Sequence, residues 1–177
     1  MTIEIRKFTE ADLEAFWQLA FSDSDAEWTK WDAPYFTDAL PEYADFIDRM
    51  GPETFVDNEM RQLIIVDGQL VGMVSAYFED ADLKRWLEIG IIIYQQSTWQ
   101  HGIGTAAIKM WIKQMFNQFP SLPHIGFTTW SGNQRMMRVG EKVGMQLEGR
   151  IRQVRYWQGQ YWDSIKYGIL REEADLQ

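Results

Sequence analysis

The chain has 177 residues, 46% of them apolar and 15% aromatic, with 26 acidic against 17 basic side chains and a net charge of −9. That length suits one domain, residues 1–177, large enough to bury roughly 70% of its unfolded surface without staples. Having no cysteine, it can form neither disulfides nor thiolate metal sites nor a thiol nucleophile.

The acidic balance argues against a general nucleic-acid binder, but it suits a cationic small molecule or a basic peptide as partner. There is no apolar run of membrane-spanning length and no basic-then-apolar leader, so a cytoplasmic protein without a membrane partner is expected. His101 and His124 are too far apart in sequence to suggest a metal centre, and no metal is expected.

Residues 2–8 alternate Ile3 and Ile5 with Glu4 and Arg6, which predicts a half-buried strand. Thr9 then caps a helix with acids in its first turn, and Leu13, Phe16, Trp17 and Ala20 form its apolar face. Residues 22–40 have no clean period. Pro34 and Pro41 break them into loops and short turns that mix Asp23, Asp25, Glu27, Asp32 and Asp38 with Trp28, Trp31, Tyr35 and Phe36. A second helix is expected over 41–50, with Tyr43, Phe46, Ile47 and Met50 turned inward.

Residues 61–66 and 70–78 predict a hairpin closed at Asp67-Gly68, a strong two-residue turn signal. A polar turn over 79–84 leads to an apolar, β-branched strand at 87–94. Residues 95–104 form a small-residue loop, and a helix over 105–119 places Ala107, Ile108, Trp111, Ile112, Met115, Phe116 and Phe119 on one face before Pro120. A strand is expected at 124–130 and a short helix over 133–143 with Gly144 as its cap. Two strands, 145–157 and 160–170, then join at Gln158-Gly159, and an acidic tail after Arg171 is expected to fray.

The stretch 88–116 carries the chemistry. A strand feeding a helix through a glycine-containing loop leaves backbone N–H groups without partners at the positive end of the helix dipole, a ready site for phosphate. A dinucleotide fingerprint would need a third glycine and an acid about twenty positions on, and a P-loop would need Gly-Lys-Ser/Thr. Neither is present.

The loop Trp99-Gln100-His101-Gly102-Ile103-Gly104 instead resembles the acetyl-CoA signature of the GNAT superfamily of N-acetyltransferases. The later segment from Asn133 to Gly144-Met145 is similar to that superfamily's asparagine-to-Glu-Lys-x-Gly element. The closing stretch from Glu148 through Asp163 to Glu173 is similar to the hairpin of its ribosomal-protein alanine and polyamine (spermidine) acetyltransferase branch.

The resemblance implies an α/β (α+β) GNAT fold: a mixed central sheet flanked by helices, in which the strands 88–94 and 124–130 splay apart around the cofactor. It further implies acetyl-CoA as acyl donor, CoA as product, and a primary amine as acceptor, either a small molecule or a peptide N-terminus. A homodimer is the expected assembly.

In that reading the backbone of Gln100, His101, Gly102, Ile103, Gly104 and Thr105 holds the pyrophosphate. Glycine at 102 and 104 permits its close approach. Ile92, Ile93 and Tyr94 pair through their backbones with the pantetheine amides, and Asn133 hydrogen-bonds the same arm. Glu88 resembles the strand glutamate that serves some members as general base, directly or through water. An acid among apolar neighbours on a central strand suits that task.

The general acid departs from the pattern. The tyrosine that many members carry along the helix after the asparagine matches Gly140 here, and the serine of some N-terminal acetyltransferases matches Met136. Tyr94 and Tyr156 are the alternatives. For the acceptor, Trp28, Trp31, Asp32 and Tyr35 suit an ammonium on an apolar body, through charge and cation–π contact. The competing expectation is a non-catalytic acyl-CoA-binding relative, favoured by Gly140 and Met136.

Overall fold

The computed structural model describes residues 1–176. Seven strands, β1 (Ile3–Lys7), β2 (Arg61–Val66), β3 (Gln69–Phe78), β4 (Leu87–Ile93), β5 (His124–Trp130), β6 (Gln146–Trp157) and β7 (Gln160–Leu170), form one mixed sheet. Their order across it is β1-β2-β3-β4-β5-β7-β6. Every neighbouring pair is antiparallel except β4 and β5. The α/β class and the splayed central strands expected from the sequence are both present.

Period-two alternation divides the core between the two faces of the sheet. On one face Ile64, Val74, Leu87, Ile89, Phe127 and Ile165 meet Ile108, Trp111, Met115 and Phe116 of the long helix α4 (Ile103–Gln118). On the other, Leu63, Ile65 and Met73 meet Phe16 of α1 (Leu13–Ala20) together with Phe46 and Phe55. Trp111 is wholly buried, and its indole N–H donates to Ser75 O at 2.9 Å, so its polar atom is satisfied inside the core.

Three elements differ from expectation. The second helix is broken into α2 (Tyr43–Asp45), a π-helical turn (Phe46–Met50) and α3 (Gly51–Thr54). The wide turn shifts the angular phase of its side chains. Phe46 is fully buried, whereas Tyr43 stays 40% exposed and packs edge-on against Trp17. The long helix begins at Ile103, two residues before the expected start at 105, because Gly102 at φ 81° serves as its N-cap.

The tail after Arg171 is anchored where fraying was expected. The Arg171 guanidinium donates to the carbonyls of Phe116, Phe119 and Leu122 at 3.1, 2.7 and 2.8 Å, satisfying an orphan acceptor in the last turn of α4 and tying down the turn that follows it. Ala174 and Leu176 pack on the core behind it.

Candidate active site

β4 and β5 pair at only two positions, Leu87 with Ile125 and Glu88 with Gly126, and then separate. The gap that opens beyond them is a cleft of about 540 Å³, walled by β4, β5, the start of α4 and α5 (Gln134–Lys142). It brings together most of the residues singled out in the sequence: Trp28, Trp31, Asp32, Tyr35, Ile92, Ile93, Gln100, Gly102, Ile103, Gly104, Thr105 and Asn133 all line it. Glu88, Tyr94 and His101 do not.

At one end of the cleft the chain passes through the left-handed region at Gln100 (φ 67°) and Gly102 (φ 81°) and enters α4. The first intrahelical bond runs from Ala106 N–H to Gly102 O, so the amides of Ile103, Gly104 and Thr105 have no ladder partner. No acidic side chain lies in this first turn to compete for them.

Gly102 is required by its backbone angle. The fold itself leaves room for a Cβ at Gly104, which would meet only Val139 Cγ2 at 3.8 Å, so its absence matters only for what approaches through the cleft that Gly104 lines. Arg135, Arg138 and Lys142 of α5 line the same cleft. The sequence reading missed them, although their spacing after Asn133 places them along one side of a helix. Among the described residues, this gives an acidic protein a cationic wall where an anion would sit.

The β4 edge corrects part of the expected pantetheine pairing. Tyr94 N–H donates to Val71 O at 2.9 Å, and a Cβ at Gly72 of β3 would fall 2.3 Å from Ile92 O. Both residues therefore turn their backbone groups toward β3. By antiparallel alternation, the residues that turn theirs toward the cleft are Ile91 and Ile93. The Ile93 carbonyl accepts from Trp99 Nε1 at 2.8 Å, which fastens the loop before α4 to the strand. The Tyr94 ring is buried between Phe16 and Trp28, and desolvation raises its phenol pKa.

At the other end, the loop carrying Trp31 and Asp32 is pinned across the sheet. Trp130 Nε1 and Asn133 Nδ2 both donate to the Trp31 carbonyl at 3.0 Å. Asn133 Oδ1 meanwhile accepts from Met136 N–H at 3.0 Å and caps α5. Asn133 thus spends one amide N–H and one oxygen lone pair inside the chain, and its second N–H and second lone pair remain for a ligand in the cleft that it lines.

The Arg135 guanidinium lies over two indoles, 4.3 Å from the Trp31 ring and 4.6 Å from that of Trp99, bridging the loop that carries Asp32 to the loop before α4. Tyr35 packs edge-on against Trp130, with Arg155 of β6 4.9 Å over its ring.

Among the described residues, Asp32 is the one carboxylate lining the cleft, and no hydrogen bond or ion pair reaches it. Neighbouring protein strips water from the group and raises its pKa above the ordinary carboxylate value. The residue is nevertheless exposed to solvent, which limits the size of that shift.

Glu88 sits at the closed end of the gap, 2% exposed. Its carboxylate accepts from Thr128 Oγ1 at 2.6 Å and faces Lys166 Nζ at 3.4 Å, and Lys166 also donates to Thr128 Oγ1 at 2.9 Å. Thr128 lines the cleft where Glu88 does not, so Glu88 reaches the opening only through that hydroxyl. This arrangement is not legible in the chain order, because its three members lie on three different strands.

The acid positions are explained by packing. A Cβ on Gly140 would lie 2.8 Å from Phe127 Cζ and 3.2 Å from the Tyr167 ring, so a tyrosine could not occupy this site without moving α5 off the sheet. Tyr156 is 58% exposed beside Tyr161 on the closing hairpin, away from the cleft. Tyr35 is the one phenol among the cleft-lining residues.

A family model described as an acetyltransferase (GNAT) domain matches residues 2–146. The chain is 31% identical over 110 residues to YdaF of Bacillus subtilis (strain 168), named as a candidate ribosomal N-acetyltransferase, and this match covers 62% of the chain and 58% of YdaF. It therefore spans less than two thirds of that relative.

Among solved structures, the fold is similar to the GNAT-family acetyltransferase from Bacillus anthracis, with a TM-score of 0.77 and 24% identity over 98% of this chain and 97% of that one. It is also similar to spermidine N-acetyltransferase from Vibrio cholerae, solved with CoA and spermine, with a TM-score of 0.76 and 16% identity over 97% of each chain.

Proposed function

We propose, from the premise that this chain belongs to the GNAT family of acetyltransferases, that it is a single-domain N-acetyltransferase moving an acetyl group from acetyl-CoA to a primary amine. One observation carries this reading: a single cleft joins an acid-free helix N-terminus under a cationic wall to a mouth where an unpartnered carboxylate stands among aromatic rings. The first end fits a pyrophosphate, the second an ammonium on an apolar body. The acceptor is a small cationic amine or a peptide N-terminus. A cytoplasmic location and a homodimeric assembly belong to the same reading. Among the described residues, no helix is long and apolar enough to cross a membrane, and no cluster of metal-ligating side chains occurs.

Bound acetyl-CoA supplies the activated acetyl group. The amides of Ile103, Gly104 and Thr105 bind its pyrophosphate, with Arg138 and Lys142 adding charge. The cleft-facing backbone of Ile91 and Ile93 orients the pantetheine arm as an added strand would. Trp28, Trp31 and Tyr35 exclude water from the acceptor end and hold the amine against the thioester, where proximity supplies much of the rate. Glu88 takes part only through Thr128, the cleft-lining residue whose hydroxyl donates to it.

Calorimetry with acetyl-CoA, followed by thiol release with polyamines, aminoglycosides and peptides of varied N-terminus, tests this function. Saturable binding with acceptor-dependent thiol release is the expected result, and absence of acetyl-CoA binding would refute it. The occupants of the two acid positions, Gly140 and Met136, favour one second reading, a non-catalytic acyl-CoA-binding protein. Tight binding without turnover on every amine would support that alternative.

A further inference from the structure

Two cavities meet at the acceptor loop. The cleft described above and a second cavity beneath the 22–42 loop share Trp28, Asp32 and Ala33 as lining residues. The second cavity reaches Trp17, Phe36 and Leu40 and extends to Trp157 of the closing hairpin. Whatever enters through it meets the first cleft at Trp28 and Asp32.

We propose that Asp32 is the carboxylate that receives the acceptor ammonium and accepts its proton. The inference rests on the acetyltransferase reading and adds the identity of the proton acceptor. Three structural facts support it. Asp32 is the cleft's one carboxylate among the described residues, and it is left without a partner although Arg135, Arg138 and Lys142 line the same opening. Its position is fixed rather than adaptable, because two donors hold the preceding carbonyl and Ala33 follows in the left-handed region at φ 44°.

The third fact concerns the competing base. Glu88 is already engaged by Thr128 and Lys166 and has no place on the cleft wall. A carboxylate that is unpaired, partly desolvated and open to a ligand is the better proton acceptor of the two.

The step balances as follows. The ammonium N–H bond breaks and an O–H bond forms on Asp32, leaving a neutral amine whose lone pair attacks the acetyl carbonyl. As the C–N bond forms, the C–S bond breaks, and the second nitrogen proton leaves with the thiolate sulfur. Asp32 then returns its proton to water through the open mouth. The charged and titratable groups around it are Tyr35 on its own loop, Tyr94 at the end of β4, Arg155 beside Tyr35, Arg135 over Trp31, the neighbouring Glu27–Lys30 pair, and Asp38 and Glu42, which line the second cavity with it. Desolvation raises the Asp32 pKa, which places its titration nearer to neutral pH.

The test compares wild type, Asp32→Asn and Glu88→Gln in three measurements. Acetyl-CoA affinity by calorimetry should be unchanged in Asp32→Asn, since the carboxylate touches neither the phosphate loop nor any structural partner. With an amine that wild type acetylates, kcat/KM should fall about 100-fold or more in Asp32→Asn, with loss of the acidic limb of the pH profile, while Glu88→Gln keeps that limb.

Independently of turnover, the Asp32 side-chain carboxyl resonance, assigned by its absence in Asp32→Asn, should shift saturably as n-butylammonium is added to the protein without acetyl-CoA. A silent resonance, or an Asp32→Asn variant with a near wild-type rate and an unchanged pH profile, would overturn the proposal. Failure of wild type to bind acetyl-CoA would instead sink the acetyltransferase reading itself.

Discussion

Asn133 and Trp31 are joined by a 3.0 Å hydrogen bond from the asparagine amide to the tryptophan carbonyl, while the same asparagine caps α5 through its oxygen. One side chain therefore starts the helix that carries the cationic wall and fastens the loop that carries Asp32. Asn133→Ala should lose the cap, at a cost of about 1 kcal/mol, and should loosen the loop. Asn133→Asp keeps an acceptor for Met136 N–H but loses the donor to Trp31. Both variants should raise the acceptor KM several-fold, and only the alanine should lower the urea midpoint. Equal KM for both variants and wild type would show that the loop does not need this tie.

Gly104 separates ligand binding from stability. It lies inside the first turn of α4, and the added methyl of Gly104→Ala has room beside Val139. Alanine should stabilise the helix by about 0.5–1 kcal/mol while weakening acetyl-CoA at least about tenfold, or 1.4 kcal/mol. Gly102→Ala should instead lose about 1–2 kcal/mol from its left-handed backbone. Melting temperature and calorimetric Kd, measured together, check both.

Arg171 closes the far end of the same helix. It satisfies three carbonyls and sits 4.6 Å over the Phe116 ring. Arg171→Ala should cost about 2 kcal/mol or more, since it removes three charge-assisted hydrogen bonds and the packing over Phe116. Chemical denaturation would read the loss, and hydrogen exchange should show it concentrated at residues 116–122.

Asp12 makes stability depend on acid pH. Arg6 donates to both its oxygens at 2.7 and 2.8 Å, and the Thr9 N–H and hydroxyl add two further bonds. The guanidinium bonds, chief among the causes, hold this carboxyl well below the usual carboxylate range. A depressed folded-state pKa stabilises fully above the unfolded value of about 3.9, and the contribution is lost as pH falls through the folded one. Asp12→Asn should lower the urea midpoint at neutral pH and flatten its decline below about pH 4. An undiminished decline would assign acid sensitivity to other carboxylates.

Local physics made much of this protein legible in its sequence. Alternation placed β1, the Asp67-Gly68 signal closed its hairpin, and the apolar stripe from Ala107 to Phe116 identified α4, because each is decided by neighbours within a few residues. The loop before α4 was readable for the same reason, its donors and glycines being consecutive. The broken second helix was not, since a π turn leaves its residues helical and changes only which way they face.

The identity of the family could thus be taken from the order of residues alone. The tertiary structure decided which groups are spent and which are free. Asn133 is used in part by Trp31 and Met136, Glu88 by Thr128 and Lys166, and the Tyr94 backbone by Val71, whereas Asp32 is left open. Those pairings join strands and loops distant in sequence. Whether a polar group is available for chemistry depends on what the fold has already bonded to it, and that cannot be read one segment at a time.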